Sequence, residues 1–526
     1  MRKPLRDSLK KQYFNKHSLL SAAVAHRLLQ QTPYVNLSPI IIPSILSHHS
    51  SLKHLSDSII RGDDAEYPLY LKSRSEMVAG LSEVLPVVLA KINAVYPISV
   101  DLNLLFQKLE NHPDPTRYVS GPDPISEYLD FCILYSALLQ GDRGSFSDIS
   151  VPLFNYYFNT APMLRRGNLA DLRTAFAIEI FKHNDFQSKV MVLNAPTGIG
   201  KTKIFLDIIN SVEHQRQFER IFYFSPLLAL TDDFETKMFK TNTMTGQIPI
   251  AGDIDPDDIL IYNHTFHGTL KDHNASEGNL NDDVDEDLDF DYSYKTPDRF
   301  EIESFNKKLI VTTTQRLIMM LYSNKASDKM KLLSLKNSFL IIDEVQTIPK
   351  FILDNFLRLL IILANKLNCI ILFVSATIPS AFREISAIAY INTPENIAKD
   401  YLKATAKRVK YGQLGPNEIF SEISSFTDGP NLIMANTRKK AMRFFKSLPS
   451  DKHDLLYLSS GVSKIDRKER IEQIKAPKAG IVNTVVSTQV IEAGIDISFK
   501  RMYRELAPLD NIVQAMGRLN RECESA

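Results

Sequence analysis

The sequence predicts an α/β protein in which two parallel-sheet lobes are preceded by an all-helical domain. Three observations carry this. From about residue 166 to 400, short apolar runs of strand length alternate with amphipathic helical runs. A second series of the same kind begins near residue 430. The first 165 residues read as helical and hold no glycine-rich phosphate loop. With 526 residues, the chain has room for about three domains of ordinary size.

In the first series the strand candidates are residues 189–193, 220–224, 308–312, 338–342 and 370–374. A helix is expected from Lys203 to Val212, directly after the first of them. The most apolar region, Phe351 to Thr377, is broken by Asp354, Arg358, Asn365, Lys366 and Asn368. It therefore predicts a buried helix followed by a strand, not a membrane span. In the second series the candidates are 431–435, 454–458, 481–487 and 502–506. The expected domains are 1–165, 166–400 and 401–526. The first lobe is expected to carry an insertion near 252–300, where seven of the ten residues from Asp282 to Asp291 are acidic. A disordered surface segment is the expectation there, with metal binding or mimicry of nucleic-acid charge as alternatives.

Composition bounds the function. The net charge is +1, so a nucleic-acid surface must be a local patch. The three cysteines (Cys132, Cys369, Cys523) lie far apart without metal-ligand spacing, which argues against disulfides or a zinc site and fits a reducing compartment. Met1 leads into a mixed basic stretch and not a signal peptide, so a cytoplasmic location is expected.

The chemistry concentrates in Ala195-Pro196-Thr197-Gly198-Ile199-Gly200-Lys201-Thr202. A glycine-bearing loop between strand and helix, ending in Gly-Lys-Thr, offers backbone N–H groups to phosphates at the positive end of the helix. Lys201 can reach the β/γ-phosphates and the Thr202 hydroxyl can ligate magnesium. Ala195 stands where the stricter pattern has glycine, yet the strand before and the helix after are both present. A second magnesium-side carboxylate must come from the end of a buried strand, and 338–342 runs into Asp343-Glu344. Asp343 would hold the metal, directly or through water, and Glu344 would orient and deprotonate the attacking water. The pair predicts hydrolysis of a nucleoside triphosphate.

Other segments open helices after strands. Ser225, Thr313 with Gln315, and Thr437 with Arg438 occupy such turns, where N–H groups and hydroxyls suit phosphodiesters or simply cap helices. Ser375-Ala376-Thr377 closes the strand after Asp343-Glu344, a place where hydroxyls can couple a nucleotide site to lobe movement. The run from Val485 to Asp496 joins a strand, expected exposed hydroxyls including Thr488, and a Gly-x-Asp turn. Gln514, Arg518 and Arg521 recur at spacings of four and three, predicting one helical face. Across a cleft from Lys201 such arginines neutralise a transferring phosphoryl group; on an open surface they only solubilise.

This ordered set resembles the superfamily 2 helicases, which have two RecA-like lobes with nucleotide between them. Asp343-Glu344-Val345-Gln346, Gln489-Val490-Ile491-Glu492-Ala493-Gly494-Ile495-Asp496 and Gly517-Arg518-Leu519-Asn520-Arg521 are similar to the motifs of the CRISPR-associated type I effector helicase-nuclease. The resemblance runs from about 170 to 521. It implies an ATP- and magnesium-dependent helicase or translocase on single-stranded DNA, moving 3′ to 5′. It implies that Gln514, Arg518 and Arg521 close from the second lobe and that Asp496 touches the ribose or the lobe interface. On the DNA side it implies Ser225, Thr313, Gln315, Thr437, Arg438 and Thr488. The implied partner is an RNA-guided CRISPR surveillance complex, with no membrane. A superfamily 2 RNA helicase and a non-catalytic DNA-binding fragment are the rival readings.

The resemblance also implies an HD-type nuclease domain ahead of the lobes, completing the expected fold: two RecA-like parallel-sheet lobes preceded by an all-helical HD-type domain. Lys16-His17-Ser18, Ser47-His48-His49-Ser50 and the run from Leu134 to Asp142-Arg143 are similar to its motifs. They give His17, His48, His49 and Asp142 as ligands for a divalent transition metal. Residues 1–16 contain no histidine, so the family's first histidine and its His-Asp pair have no counterpart, and the chain ends five residues after Arg521. Truncation at both ends is therefore expected, and DNA cleavage by this chain alone is not.

Overall fold

The computed structural model describes residues 123–144, 150–160, 169–226, 254–263, 266–269, 297–406, 412, 414–425, 430–448, 455–475, 484–491 and 497–519, with Ala25 and Ile45. The chain divides into two compact units. One comprises Met1–Val151, Ala275–Asn306 and Arg316–Lys336; the other comprises Pro152–Asn274, Lys307–Gln315 and Asn337–Ala526. Both sheets lie in the second unit.

The strands of the larger sheet are β1 (Val190–Asn194), β2 (Arg220–Ser225), β3 (Ile259–Asn263), β4 (Phe266–Thr269), β5 (Leu309–Thr313), β6 (Ser338–Asp343), β7 (Ile370–Ser375) and β8 (Ala389–Tyr390). Their order is β4-β3-β5-β2-β6-β7-β1-β8. Every pairing is parallel except the β3–β4 hairpin. β2, β6 and β7 are buried along their whole length. That is why they read as unbroken apolar runs such as Ile-Ile-Leu-Phe-Val, since a parallel sheet is covered on both faces.

β3 and β4 fall inside the stretch expected as an insertion near 252–300. Residues 259–263 and 266–269 instead extend the sheet, with β3 in register on β5 from Ile259↔Leu309 to Tyr262↔Thr312. The acidic run from Asp282 to Asp291 lies outside the described residues.

The helices of this lobe are α1 (Ala170–His183), α2 (Lys201–Glu213), α3 (Lys350–Lys366) and α4 (Glu395–Ala404). In α2, Ile204, Phe205, Ile208, Ile209 and Val212 recur every three to four residues and are buried. In α3, Leu353, Phe356, Leu357, Leu360 and Leu363 do the same, while Phe351 is 86% exposed. The apolar stretch from Phe351 is thus a core helix followed by β7, as predicted. Among the described residues no helix is long and apolar enough to cross a membrane. An extended segment is pinned to α2 by Asn210, which donates to the Phe158 carbonyl at 2.9 Å and accepts its N–H at 3.0 Å.

The smaller sheet is formed by β9 (Asn431–Met434), β10 (Leu455–Leu458), β11 (Thr484–Ser487) and β12 (Arg501–Arg504), in the order β10-β11-β9-β12 and parallel throughout. With it come α5 (Pro416–Ser424), α6 (Arg438–Ser447), α7 (Lys464–Lys475) and α8 (Leu509–Met516). Leu432, Leu458, Val485 and Phe499 are fully buried in its core.

In the first unit, the helix Pro124–Gly144 buries Leu129, Phe131, Cys132, Tyr135, Ser136 and Leu139. Lys329 is wholly buried there. Its ammonium donates to Tyr128 Oη (2.9 Å) and to the carbonyls of Met320 (3.1 Å) and Leu321 (2.7 Å). Three acceptors meet three protons, which a buried lysine requires. Burial lowers the Lys329 pKa and raises that of the Cys132 thiol.

Candidate functional site

Strand order brings the predicted motifs together. β1 lies beside β7 with Asn194 opposite Ser375, and β7 lies beside β6 with Val374 opposite Asp343. All three strands run the same way, so their carboxyl ends form one edge, where open α/β sheets place ligands. The loop from Ala195 to Gly200 leaves β1, its Ala195 N–H donating to the Ser375 carbonyl at 3.0 Å. Gly198 (φ 81°) and Gly200 (φ 106°) are left-handed, which only glycine adopts without strain. A Cβ at Gly198 would also meet the Tyr401 hydroxyl at 2.8 Å. Lys201 opens α2, and no side chain caps the helix at Gly200. Its first N–H groups therefore suit an anion.

Asp343 ends β6 and is buried. Its carboxylate accepts Tyr223 Oη–H at 2.8 Å and the Glu344 N–H at 2.9 Å. Glu344 follows at φ 50°, ψ 51°. A left-handed residue here is uncommon and turns the side chain off the line of the strand. Glu344 Oε1 lies 3.4 Å from Lys201 Nζ, and Gln346 Nε2 donates to Glu344 Oε2 at 2.8 Å. The Ser375 hydroxyl bonds Gln346 Oε1 and also the Thr377 carbonyl at 2.9 Å. Lys201, Glu344, Gln346 and Ser375 thus form one polar chain linking the three strand ends. Burial raises the Asp343 pKa, the neighbouring Glu344 charge adds to this, and Lys201 and Tyr223 oppose it.

The second lobe reaches the phosphate loop through a glycine. A Cβ on Gly517 would lie 3.2 Å from Thr197 Cβ and Oγ1 and 3.1 Å from the Gln514 carbonyl. Gln514 and Arg518 are both half-buried near this approach. They do not share one continuous helical face as expected. α8 ends at Met516, because the Arg518 carbonyl accepts the Phe499 N–H at 2.8 Å and Leu519 bridges to Phe499. Arg521 and Asp496 lie outside the described residues.

The residues expected to face nucleic acid divide. Ser225 is fully buried at the end of β2, and Thr488 is 8% exposed with its N–H on the Leu458 carbonyl at 3.2 Å. Expected exposure fails there because both sit at the ends of interior strands. Thr313 is half-buried, and Gln315, Thr437 and Arg438 are exposed. Thr437 caps α6 by accepting the Lys440 N–H at 3.2 Å. Asp142 is exposed near the end of the helix Pro124–Gly144. His17, His48 and His49 lie outside the described residues, among which no group of three or more His, Cys, Asp or Glu side chains gathers as a metal site.

Sequence reasoning missed Tyr223, Arg173 and Tyr401. Arg173 Nε donates to the Gly198 carbonyl at 3.0 Å, and Tyr401 Oη to the Thr197 carbonyl at 3.4 Å. The signal for Tyr223 was faint, one phenol in the apolar run of β2. Arg173 and Tyr401 sit on helices with no motif to mark them.

Two largely parallel sheets, the larger with a glycine-bearing loop and an acidic strand end on one edge, have the architecture of two RecA-like lobes. Residues 427–524 match the family model "CRISPR-associated nuclease/helicase Cas3, C-terminal", and 170–380 match "Type III restriction enzyme, res subunit". The CRISPR-associated nuclease/helicase Cas3 of Methanothermobacter thermautotrophicus is 26% identical over 437 residues, covering 80% of this chain and 48% of the relative. A putative protein of that name from Methanocaldococcus jannaschii is 25% identical over 355 residues, covering 64% and 45%. The crystal structure of T. fusca Cas3 with AMPPNP superposes with a TM-score of 0.52 at 14% identity, covering 95% of this chain and 61% of that one. A CRISPR-associated protein crystal structure gives 0.53 at 15% identity, covering 96% and 60%. The chain is thus similar to the Cas3-type nuclease/helicases. It spans about half the length of the curated relatives it matches.

Proposed function

We propose that this chain is an ATP-dependent translocase or helicase on single-stranded DNA, working in type I CRISPR interference beside an RNA-guided surveillance complex. The observation that carries the reading is the Lys201–Glu344 pair at 3.4 Å beside buried Asp343, on an edge that Gly517 approaches from the second lobe. The Lys201 ammonium pairs with Glu344 at 3.4 Å. An incoming triphosphate competes for Lys201, and Glu344 is released to accept a proton from the attacking water. Gln346 keeps hold of the second Glu344 oxygen and so fixes its orientation.

The Thr202 hydroxyl and the Asp343 carboxylate are hard oxygen donors of the kind magnesium takes. Two carboxylates stand here against one ammonium; burial raises the Asp343 pKa and the neighbouring Glu344 charge adds to it. Bound magnesium supplies charge neutralisation for the phosphates. Tyr223 and the Glu344 N–H hold Asp343 in place for it.

In this reading Gln514, Arg518 and Arg521 bring positive charge from the second lobe, and Asp496 serves the ribose or the lobe interface. Thr313, Gln315 and Arg438 face DNA, and in the order of the chain a helical domain at 1–165 is followed by the lobes at 166–400 and 401–526. A transition-metal nuclease role for His17, His48, His49 and Asp142 is not part of the proposal.

The test is ATP hydrolysis by the purified chain with magnesium at low salt, with and without single-stranded DNA or RNA. Stimulation by DNA over RNA, abolished by Lys201→Ala, is the expected result. Preferential stimulation by RNA would point to the RNA helicase reading. Strand binding without hydrolysis, unchanged in Lys201→Ala, would identify a non-catalytic binding fragment.

A further inference from the structure

A loop that turns its N–H groups toward an anion must turn its carbonyls the other way, and each buried carbonyl then needs a donor. In the phosphate loop these donors can be traced. The Pro196 carbonyl accepts the Ile199 N–H at 3.4 Å and the Gly200 carbonyl accepts the Ile204 N–H at 3.2 Å, both within the motif. Two of the three carbonyls between them are met from outside it. Gly198 O accepts Arg173 Nε at 3.0 Å, and Thr197 O accepts Tyr401 Oη at 3.4 Å. Arg173 is 9% and Tyr401 2% exposed, so neither bond faces competition from bulk water. The Tyr401 hydroxyl also occupies the space that a Cβ at Gly198 would need. The two side chains come from α1 and α4, which pack against each other. One helix pair therefore holds two successive peptides of the loop.

We propose that Arg173 and Tyr401 are positioning residues of the nucleotide site. They fix the Thr197 and Gly198 carbonyls away from the phosphates, so that the N–H groups of Gly198, Gly200 and Lys201 converge on the triphosphate. The inference rests on the nucleotide-binding reading above and adds two residues outside the motif to it. Because the braces act on the loop and not on the base, their loss weakens ATP and GTP binding by the same factor. The loop contacts phosphate in ground and transition states alike, so the loss falls on KM and leaves kcat nearly unchanged.

The experiment combines titration of a fluorescent ATP analogue with steady-state hydrolysis in wild type, Lys201→Ala, Tyr401→Phe, Arg173→Gln and Arg173→Lys, with melting temperatures alongside. Tyr401→Phe keeps the ring and removes one weak bond, and should raise Kd and KM about threefold. Arg173→Gln should raise both about tenfold, with Arg173→Lys recovering part of the loss. Values within about twofold of wild type in folded Tyr401→Phe and Arg173→Gln, with Lys201→Ala defective, would overturn this inference and leave the proposed function standing. A wild-type chain that binds no nucleotide, or a Lys201→Ala variant that binds as wild type does, would overturn both. If the Arg173 variants fail to fold, Tyr401→Phe decides alone.

Discussion

The carboxyl ends of the two sheets carry polar residues of similar kinds and use them differently. In the first lobe, Asp343, Glu344, Gln346 and Ser375 extend from fully buried strands and meet around a single ammonium, Lys201. In the second lobe, Asn436, Thr437, Lys440, Arg504 and Glu505 bond chiefly to one another at a half-exposed edge. Glu505 accepts the Asn436 N–H at 2.7 Å and pairs with Lys440, while Arg504 donates to Asn436 Oδ1 at 2.5 Å. The first arrangement leaves charge uncompensated inside the protein; the second consumes its charge locally. Uncompensated buried carboxylate charge is what a magnesium site needs, and a locally satisfied network is what holds a turn in shape. The second lobe's described approach to the phosphate loop is then one of backbone shape, at Gly517.

The largest effect expected from this asymmetry is at Glu344. Glu344→Gln keeps the size and the Gln346 contact but removes the base, and should lower kcat by about 10²–10⁴ while ATP-analogue binding survives. Unchanged turnover would place the base elsewhere and break the contrast between the lobes. Next comes Gly517→Ala. Its Cβ would press on Thr197 at 3.2 Å and on its own Gln514 carbonyl at 3.1 Å. Overpacking of this kind costs about 1–3 kcal/mol, so strand-stimulated hydrolysis should fall roughly tenfold or more. Nucleotide binding to the first lobe alone should change little. Equal loss of binding and turnover would show that Gly517 shapes the loop itself and not the approach of the second lobe.

How much of this was legible beforehand follows the same divide. The strands carrying Lys201 and Asp343 announce themselves, because burial on both faces leaves an apolar run and the polar residue at its end stands out. β3 was hidden, since five residues of strand follow the acidic Asp255-Pro256-Asp257-Asp258 turn and precede a long acidic stretch. Gln514 and Arg518 are correctly spaced for one helical face, but spacing cannot reveal that Phe499 pairs with the chain at Arg518 and Leu519 and ends the helix. Ser225 and Thr488 look like phosphate-contacting hydroxyls in sequence, and only strand order puts them at interior positions. Arg173 and Tyr401 were illegible for a related reason: a carbonyl brace needs any donor in the right place, and leaves no pattern.

The smaller effects sharpen the second-lobe half of the comparison. Burial alone would raise the Glu505 pKa, but the Asn436 N–H, Lys440 and Arg504 outweigh it and hold it below the usual glutamate range. A carboxylate depressed in the fold contributes stability above its unfolded pKa and loses it as pH falls through the folded value. Glu505→Gln should therefore destabilise the protein by about 1 kcal/mol near neutrality, a figure reduced for partial exposure, and the difference from wild type should vanish in acid. Melting curves at neutral and acidic pH read this directly. A destabilisation that persists in acid would mean that packing, not charge, is what Glu505 supplies.

Thr437 makes the finest distinction. Its hydroxyl already accepts the Lys440 N–H as the cap of α6. If capping is its whole role, Thr437→Ala costs about 1 kcal/mol of stability and Thr437→Ser restores it, with single-strand affinity unchanged in both. Arg438→Ala, one residue on and exposed, should instead weaken single-strand binding and flatten its salt dependence by one phosphate contact. Should Thr437→Ala weaken strand binding as much as Arg438→Ala does, the hydroxyl reaches nucleic acid as well, and the second lobe's edge is a binding surface and not only a self-satisfied turn.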